Sequence, residues 1–219
     1  MNIENVSQCI KASMVELTMT VLSYTQDRLD QIVAEAFRIL NKGGIIAYPT
    51  ESFYALGVLA SDDNALKKLF ELKGRPPEKP MPLIVGDTDV LLSVAQHIPD
   101  LAKNLIERFW PGPLTIVFNA REGVSPLLTG DTGNVAVRIP GDSAALSLAR
   151  ALRSPITATS ANPSGEPPAE TAHEVLDYFG ARVDIIIDAG RSPGGKPSTI
   201  VDVTVAPPRI LREGRVSLA

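Results

Sequence analysis

From Leu29 onward the apolar positions fall into a clear rhythm. Leu29, Ile32, Val33, Ala36, Phe37 and Leu40 recur at steps of three and four, which places them on one face of a helix. Asn41-Lys42-Gly43-Gly44 stops that helix, since glycine takes the left-handed angles that end one. Ile45-Ile46-Ala47-Tyr48 reads as a short strand, followed by the polar turn Pro49-Thr50-Glu51. Asp62 or Asp63 is a fair cap for a helix carrying Leu66, Leu69 and Phe70. The proline-studded stretch from Lys73 to Pro80 reads as neither helix nor central strand.

Further strands are expected at 83–85, 114–118, 135–139, 155–158, 184–187 and 199–201, with helices at 88–95, 100–109, 143–152 and 171–179. Strands alternating with helices predict an α/β or mixed α+β fold around a sizeable sheet. Residues 1–20 show no period and read as a leader, loosely ordered or packed as an edge element; residues 21–219 read as one domain, because no Gly/Ser linker divides them.

Composition narrows the function classes. With 44% hydrophobic and 21% charged residues the chain is an ordinary globular one, and with 5% aromatics its core must rest on Ile, Leu, Val and Ala. A net charge of −4 argues against broad, nonspecific nucleic-acid binding, though not against a local basic cleft. A single cysteine, Cys9, excludes an intramolecular disulfide framework and a multi-cysteine zinc site. No apolar run is long enough to span a membrane, and no secretory signal opens the chain, so a cytosolic protein is expected.

Chemistry is expected where polar loops end apolar strands, at 49–54, 73–80, 159–168 and 190–198, with Arg212-Glu213-Gly214 as a fifth segment. Lys73, Arg75 and Lys79 place three cations beside Pro76, Pro77 and Pro80, and rigid cations lose little entropy on meeting a phosphate. Ser160-Ala161-Asn162-Pro163-Ser164-Gly165 offers small hydroxyls, an amide and close backbone approach; a tight Asn-Pro turn explains it equally well. The Gly190–Ser198 loop opens a strand rather than a helix, so it is not a P-loop. No Rossmann fingerprint and no Gly-x-Ser-x-Gly is present; His97 and His173 read as structural or surface residues, and the aspartates at 62–63 and 87–89 as helix caps rather than metal ligands. Together the loops suggest a site that positions anionic reactants without covalent catalysis, metal ligands or an enzyme nucleophile.

Read in order, the segments Pro49 to Gly57, Lys73-Gly74-Arg75-Pro76, Lys79-Pro80, Trp110 to Thr115, Val137 to Pro140, Thr159 to Asn162, Pro197 to Val201 and Leu211 to Gly214 resemble the YrdC-like threonylcarbamoyl-AMP synthases, in their short single-domain form. Ala55 stands where that family usually has glycine, which suggests a slightly different turn after Tyr54. The resemblance implies an open, twisted mixed sheet with a concave, positively charged cleft. It implies a nucleotidyltransferase that makes threonylcarbamoyl-AMP and pyrophosphate from L-threonine, bicarbonate and ATP, for the threonylcarbamoyladenosine modification of tRNA. By the same resemblance Lys73, Arg75, Lys79, Asn134, Ser160, Asn162, Pro168 and Arg212 bind ATP, while Thr50, Arg138, Ala158 and Ser198 bind L-threonine. Mg²⁺ arrives with ATP; the threonylcarbamoyl-transfer proteins are partners, and tRNA binding is weak. Two alternatives stay open: an RNA-binding module using the same basic cleft, and a carbamoyl-adenylate activity like that of a similar domain in hydrogenase-maturation proteins.

Overall fold

The computed structural model describes residues 20–76 and 78–218. Nearly all of the expected leader, with Cys9, lies outside them, as does Pro77. In chain order the strands are β1 (Thr20–Ser23), β2 (Ile46–Pro49), β3 (Tyr54–Gly57), β4 (Leu83–Ile84), β5 (Leu114–Asn119), β6 (Asn134–Arg138), β7 (Ile156–Thr157), β8 (Thr159–Ser160), β9 (Ile185–Asp188), β10 (Thr199–Asp202) and β11 (Arg209–Arg212). The helices are α1 (Leu29–Leu40), α2 (Asp63–Lys73), α3 (Thr88–Leu91), α4 (Asp100–Phe109), α5 (Pro126–Thr129), α6 (Ala144–Leu152) and α7 (Ala172–Phe179).

These strands form two mixed sheets, ordered β1-β9-β2-β3-β8 and β11-β10-β5-β6-β4-β7. Alternation along the strands explains the packing. Ile46 and Tyr48 of β2, with Ile185 and Ile187 of β9, meet α1 and α6 on one face of the first sheet. Ala47 and Ile186 point the other way, into the larger core shared with Leu83, Ile116, Phe118 and Val137 of the second sheet. The chain passes from the second sheet to the first across Ala158, between β7 and β8.

Several expectations need correction. Lys73 is not in the irregular loop: it closes α2, and Gly74 ends the helix at φ 57. The strand expected at 155–158 is shorter, only Ile156–Thr157: Ala158 still donates its N–H to Pro82 O, but proline has no N–H to return, and the chain then leaves for β8 in the other sheet. The helix expected at 88–95 stops at Leu91, after which Gln96 N binds Asn119 O and Ala95 bridges Ala120 at the end of β5. Tyr54–Gly57 is a strand, so there is no turn after Tyr54; Ala55 pairs with Ser160 of β8. Asp62 and Asp87 do cap helices, accepting from Asn64 N and Ala65 N and from Val90 N. Trp110 is a packing residue: its indole N–H reaches Leu114 O at 2.6 Å and its ring meets Phe118 edge-on.

Candidate functional site

A cleft of about 720 Å³ opens above the second sheet. Its floor comes from the upward-facing residues of four adjacent strands: Thr115 and Val117 of β5, Asn134, Ala136 and Arg138 of β6, Ile200 and Asp202 of β10, and Arg209, Leu211 and Arg212 of β11. The β2–β3 hairpin contributes Thr50, Ser52 and Phe53, and the opposite wall holds Arg75, Pro80, Pro82, Ala158, Ser160 and Pro168. Gly195, Pro197 and Ser198 form part of the rim. The floor is polar at its ends and apolar between them, and Asn134 to Arg138 spans about 13 Å at the usual rise of a strand.

Arg138 organises one end. Its Nη1 is paired with Glu51 Oε1, and the two side chains are only 8% and 11% exposed. No other hydrogen bond from the Arg138 guanidinium occurs among the described residues, so its remaining N–H groups are free at the cleft. Close by, Ser198 Oγ lies 2.9 Å from Thr115 Oγ1 and accepts from Arg212 Nη2 at 3.0 Å. Arg212 also holds Ser198 O through Nε and Nη2, and burial together with the charge of Arg138 lowers its pKa. Two guanidinium groups and two hydroxyls thus converge, a donor set suited to a carboxylate. Thr50 is folded into its own hairpin loop: its hydroxyl donates to Phe53 O and accepts from Ser52 N and Phe53 N.

On the opposite wall Arg75 is braced by carbonyls, with Nε on Lys79 O and Nη2 on Pro80 O. It has no carboxylate partner among the described residues, and burial lowers its pKa. Ser160 is exposed on β8 and lines the cleft.

Thr50, Arg75, Asn134, Arg138, Ala158, Ser160, Pro168, Ser198 and Arg212 therefore share one cavity. Lys73, Lys79 and Asn162 do not line it. Lys79 serves Arg75 through its backbone carbonyl. Lys73, 3% exposed, donates Nζ to Ser160 O and to Asn162 O, the latter at 2.6 Å, while its own carbonyl accepts from Ser164 N. Burial, helped by the charge of Arg75, pushes the Lys73 ammonium down to about 7. Asn162 spans its own loop, donating Nδ2 to Pro163 O and Glu166 O. These two side chains fix the shape of the 160–166 loop from behind.

Reading loops alone missed Thr115, Asp202 and Arg209, and gave Glu51, within the expected 49–54 loop, no role of its own. For Thr115 and Asp202 a signal existed: each is a polar residue on a mostly apolar strand, in alternation with Val117 or Ile200, which also face the cleft. Among the described residues no group of three or more His, Cys, Asp or Glu is assembled to hold a metal ion.

The fold and cleft define a mixed α/β protein with a polar, arginine-lined cleft above its second sheet. The family model for Sua5, YciO and YrdC, described as telomere recombination, matches residues 38–214, and the chain belongs to that family. A threonylcarbamoyl-AMP synthase of Pyrococcus abyssi is 39% identical over 201 residues, 91% of this chain and 59% of that protein. One from Idiomarina loihiensis is 40% identical over 173 residues, 77% of this chain and 91% of its own. The crystal structure of P. abyssi Sua5 complexed with L-threonine superimposes with a TM-score of 0.83 at 38% identity, covering 90% of this chain and 57% of that one. This chain thus spans less than three fifths of the P. abyssi protein.

Proposed function

We propose that this protein is a threonylcarbamoyl-AMP synthase. The carrying observation is the converging set of Arg138, Arg212, Ser198 and Thr115, which offers a carboxylate a fork of donors inside a cleft large enough for a nucleotide as well. The P. abyssi relative complexed with L-threonine supports the same reading.

In this reading threonine's carboxylate sits on Arg138 and Ser198, and its amine has combined with bicarbonate to give a carbamate with loss of water. A carbamate oxygen attacks the α-phosphorus of ATP; the bond to the bridging oxygen breaks, and pyrophosphate leaves with that electron pair. No enzyme nucleophile is required, so the protein's work is alignment and neutralisation of charge. Arg75 faces the phosphates, and the Ser160 hydroxyl and the backbone beside Pro168 face the nucleotide. Lys73 and Asn162 act on ATP through the loop they hold. Asn134 approaches the nucleoside, while Thr50 and Ala158 shape the threonine end. Mg²⁺ enters as part of the substrate, Mg·ATP. The mixed anhydride product needs a second protein to pass its acyl group to tRNA, with weak tRNA contact by this chain. The described residues contain no helix long and apolar enough to cross a membrane, and a cytosolic location suits a tRNA-modifying role.

The test is pyrophosphate release in the presence of ATP, Mg²⁺, bicarbonate and L-threonine. Release must depend on both threonine and bicarbonate; release supported by carbamoyl phosphate instead would sink the reading. Arg75→Ala should lower kcat/KM by at least about 2 kcal/mol of transition-state stabilisation.

A further inference from the structure

The end of the floor opposite Arg138 holds a group that the threonine and phosphate contacts leave unused. Asp202 ends β10, is 5% exposed, and is the one acidic side chain among the described residues lining the cleft. Its Oδ1 is fixed by Thr204, accepting from the backbone N–H at 2.9 Å and the hydroxyl at 2.6 Å. Its Oδ2 is 3.9 Å from Arg209 Nη2, too far for a hydrogen bond, and takes no hydrogen bond among the described residues. With Oδ1 clamped and the Arg209 charge nearby, Oδ2 is left open to the cleft as an acceptor that a ligand's donor can engage in place of water.

The surroundings say what kind of donor. Asp202 stands opposite Val117, and Val117 opposite Ala136, so an apolar strip runs beside the carboxylate. Ile200, opposite Thr115, and Leu211 extend that strip toward the donor fork. Asn134 reaches Thr204 Oγ1 at 3.5 Å, adding an amide at the same end. A flat apolar floor with an acceptor at its edge fits an aromatic base that carries an amino group.

We propose that Asp202 reads the nucleobase: Oδ2 accepts a hydrogen bond from the exocyclic 6-amino group of adenine. Guanine held in the same orientation presents a carbonyl oxygen at that position, which the carboxylate repels, and must turn over to offer its N1–H and 2-amino donors. Asp202 is thereby the residue that selects ATP over GTP. The inference rests on the nucleotide-binding part of the proposed function, and it places the base two residues, about 7 Å, along the strands from the level of Thr115 and Arg212.

Calorimetric titration tests it. The Mg²⁺ complexes of ATP, GTP, purine riboside triphosphate, which lacks the 6-amino group, and 2′-deoxy-ATP are each titrated into the wild-type protein and Asp202→Asn. The wild type should bind ATP at least about 10-fold more tightly than GTP or the purine riboside analogue. Asp202→Asn, whose amide both donates and accepts, should bring GTP to within about 3-fold of ATP. If Asp202→Asn does not fold by thermal melting, Thr204→Val, which unclamps the carboxylate, must reduce the preference for ATP over the purine riboside analogue. Equal affinity of the wild type for those two nucleotides overturns the proposal, as does a loss confined to 2′-deoxy-ATP, which would assign Asp202 to the sugar. Absence of nucleotide binding overturns it together with the synthase reading. Selective ATP binding without threonine-dependent pyrophosphate release leaves Asp202 in place and removes the synthase reading alone.

Discussion

Lys73→Met isolates the clamp behind the Ser160–Ser164 loop. Methionine matches the length of the lysine stem but supplies no donor, so Ser160 O and Asn162 O lose their shared partner. Leaving a buried acceptor unsatisfied costs about 1–3 kcal/mol, so the pair costs several kcal/mol at most. Opposing this, methionine also relieves the burial of an ammonium, and that relief depends on pH. The Lys73 pKa is about 7 in the folded protein and 10.5 as its reference value. Between these values the unfolded chain binds more protons than the folded one, so wild-type stability rises with pH across that window. Below about pH 7 both states are protonated, and the penalty is constant and fully present. Above it the folded lysine is neutral and still donates two hydrogen bonds. The stability gap between wild type and Lys73→Met should therefore widen by about 2 kcal/mol from pH 6.5 to pH 9. Urea unfolding of both proteins at the two pH values measures it, since groups that titrate alike in both cancel in the difference. A gap that stays constant, or that narrows as pH rises, refutes the buried-ammonium argument.

Glu51→Gln removes the countercharge from a nearly buried guanidinium, and should lower stability by roughly 3 kcal/mol; an unchanged urea midpoint would show that Arg138 does not depend on Glu51. Asp62→Ala deprives Asn64 N and Ala65 N of their acceptor, and should cost about 1 kcal/mol in the same measurement while leaving ATP affinity intact. At Gly214 a Cβ would stand 2.3–2.5 Å from backbone atoms of Pro197, Ser198 and Thr199. Gly214→Ala should push the C-terminal segment off β10, disturb the Ser198–Arg212 contacts and abolish threonine binding by calorimetry; binding at wild-type strength would contradict that packing.

The parts of the fold legible in the sequence are those whose residues carry their own reason. The face Leu29 to Leu40 repeats every three to four positions and becomes α1 over those residues. Ile185–Asp188 is apolar almost throughout because both faces of β9 are covered. The missed elements depend on distant partners. β1 is a strand because Thr20 to Ser23 pairs with Ile185 to Asp188, far along the chain. β11 is exposed at all four positions, so no burial pattern marks it, and its pairing with β10 alone makes it a strand. β3 hides between a polar loop and Gly57, and its identity comes from pairing with β2 and β8.

The candidate site divides along a similar line. Loop composition brings cations, hydroxyls and prolines together, and Pro80, Pro82, Pro168 and Pro197 do line the cleft beside Arg75, Ser160 and Ser198. Spacing alone cannot separate a lysine that faces the cavity from one that braces it, because both sit at the same junction of helix and loop. Burial separates them: Lys73 spends its ammonium on two backbone carbonyls, whereas Arg75, two residues on, is held by carbonyls at one edge and open to the cleft. The same distinction pairs Glu51 with Arg138. In each case one charged residue is sequestered so that another arginine, or the loop it faces, keeps a fixed orientation before any ligand arrives. Such fixed orientation is what the proposed synthase, with no enzyme nucleophile, must supply, since its catalysis would consist of placing charge where the transition state develops it.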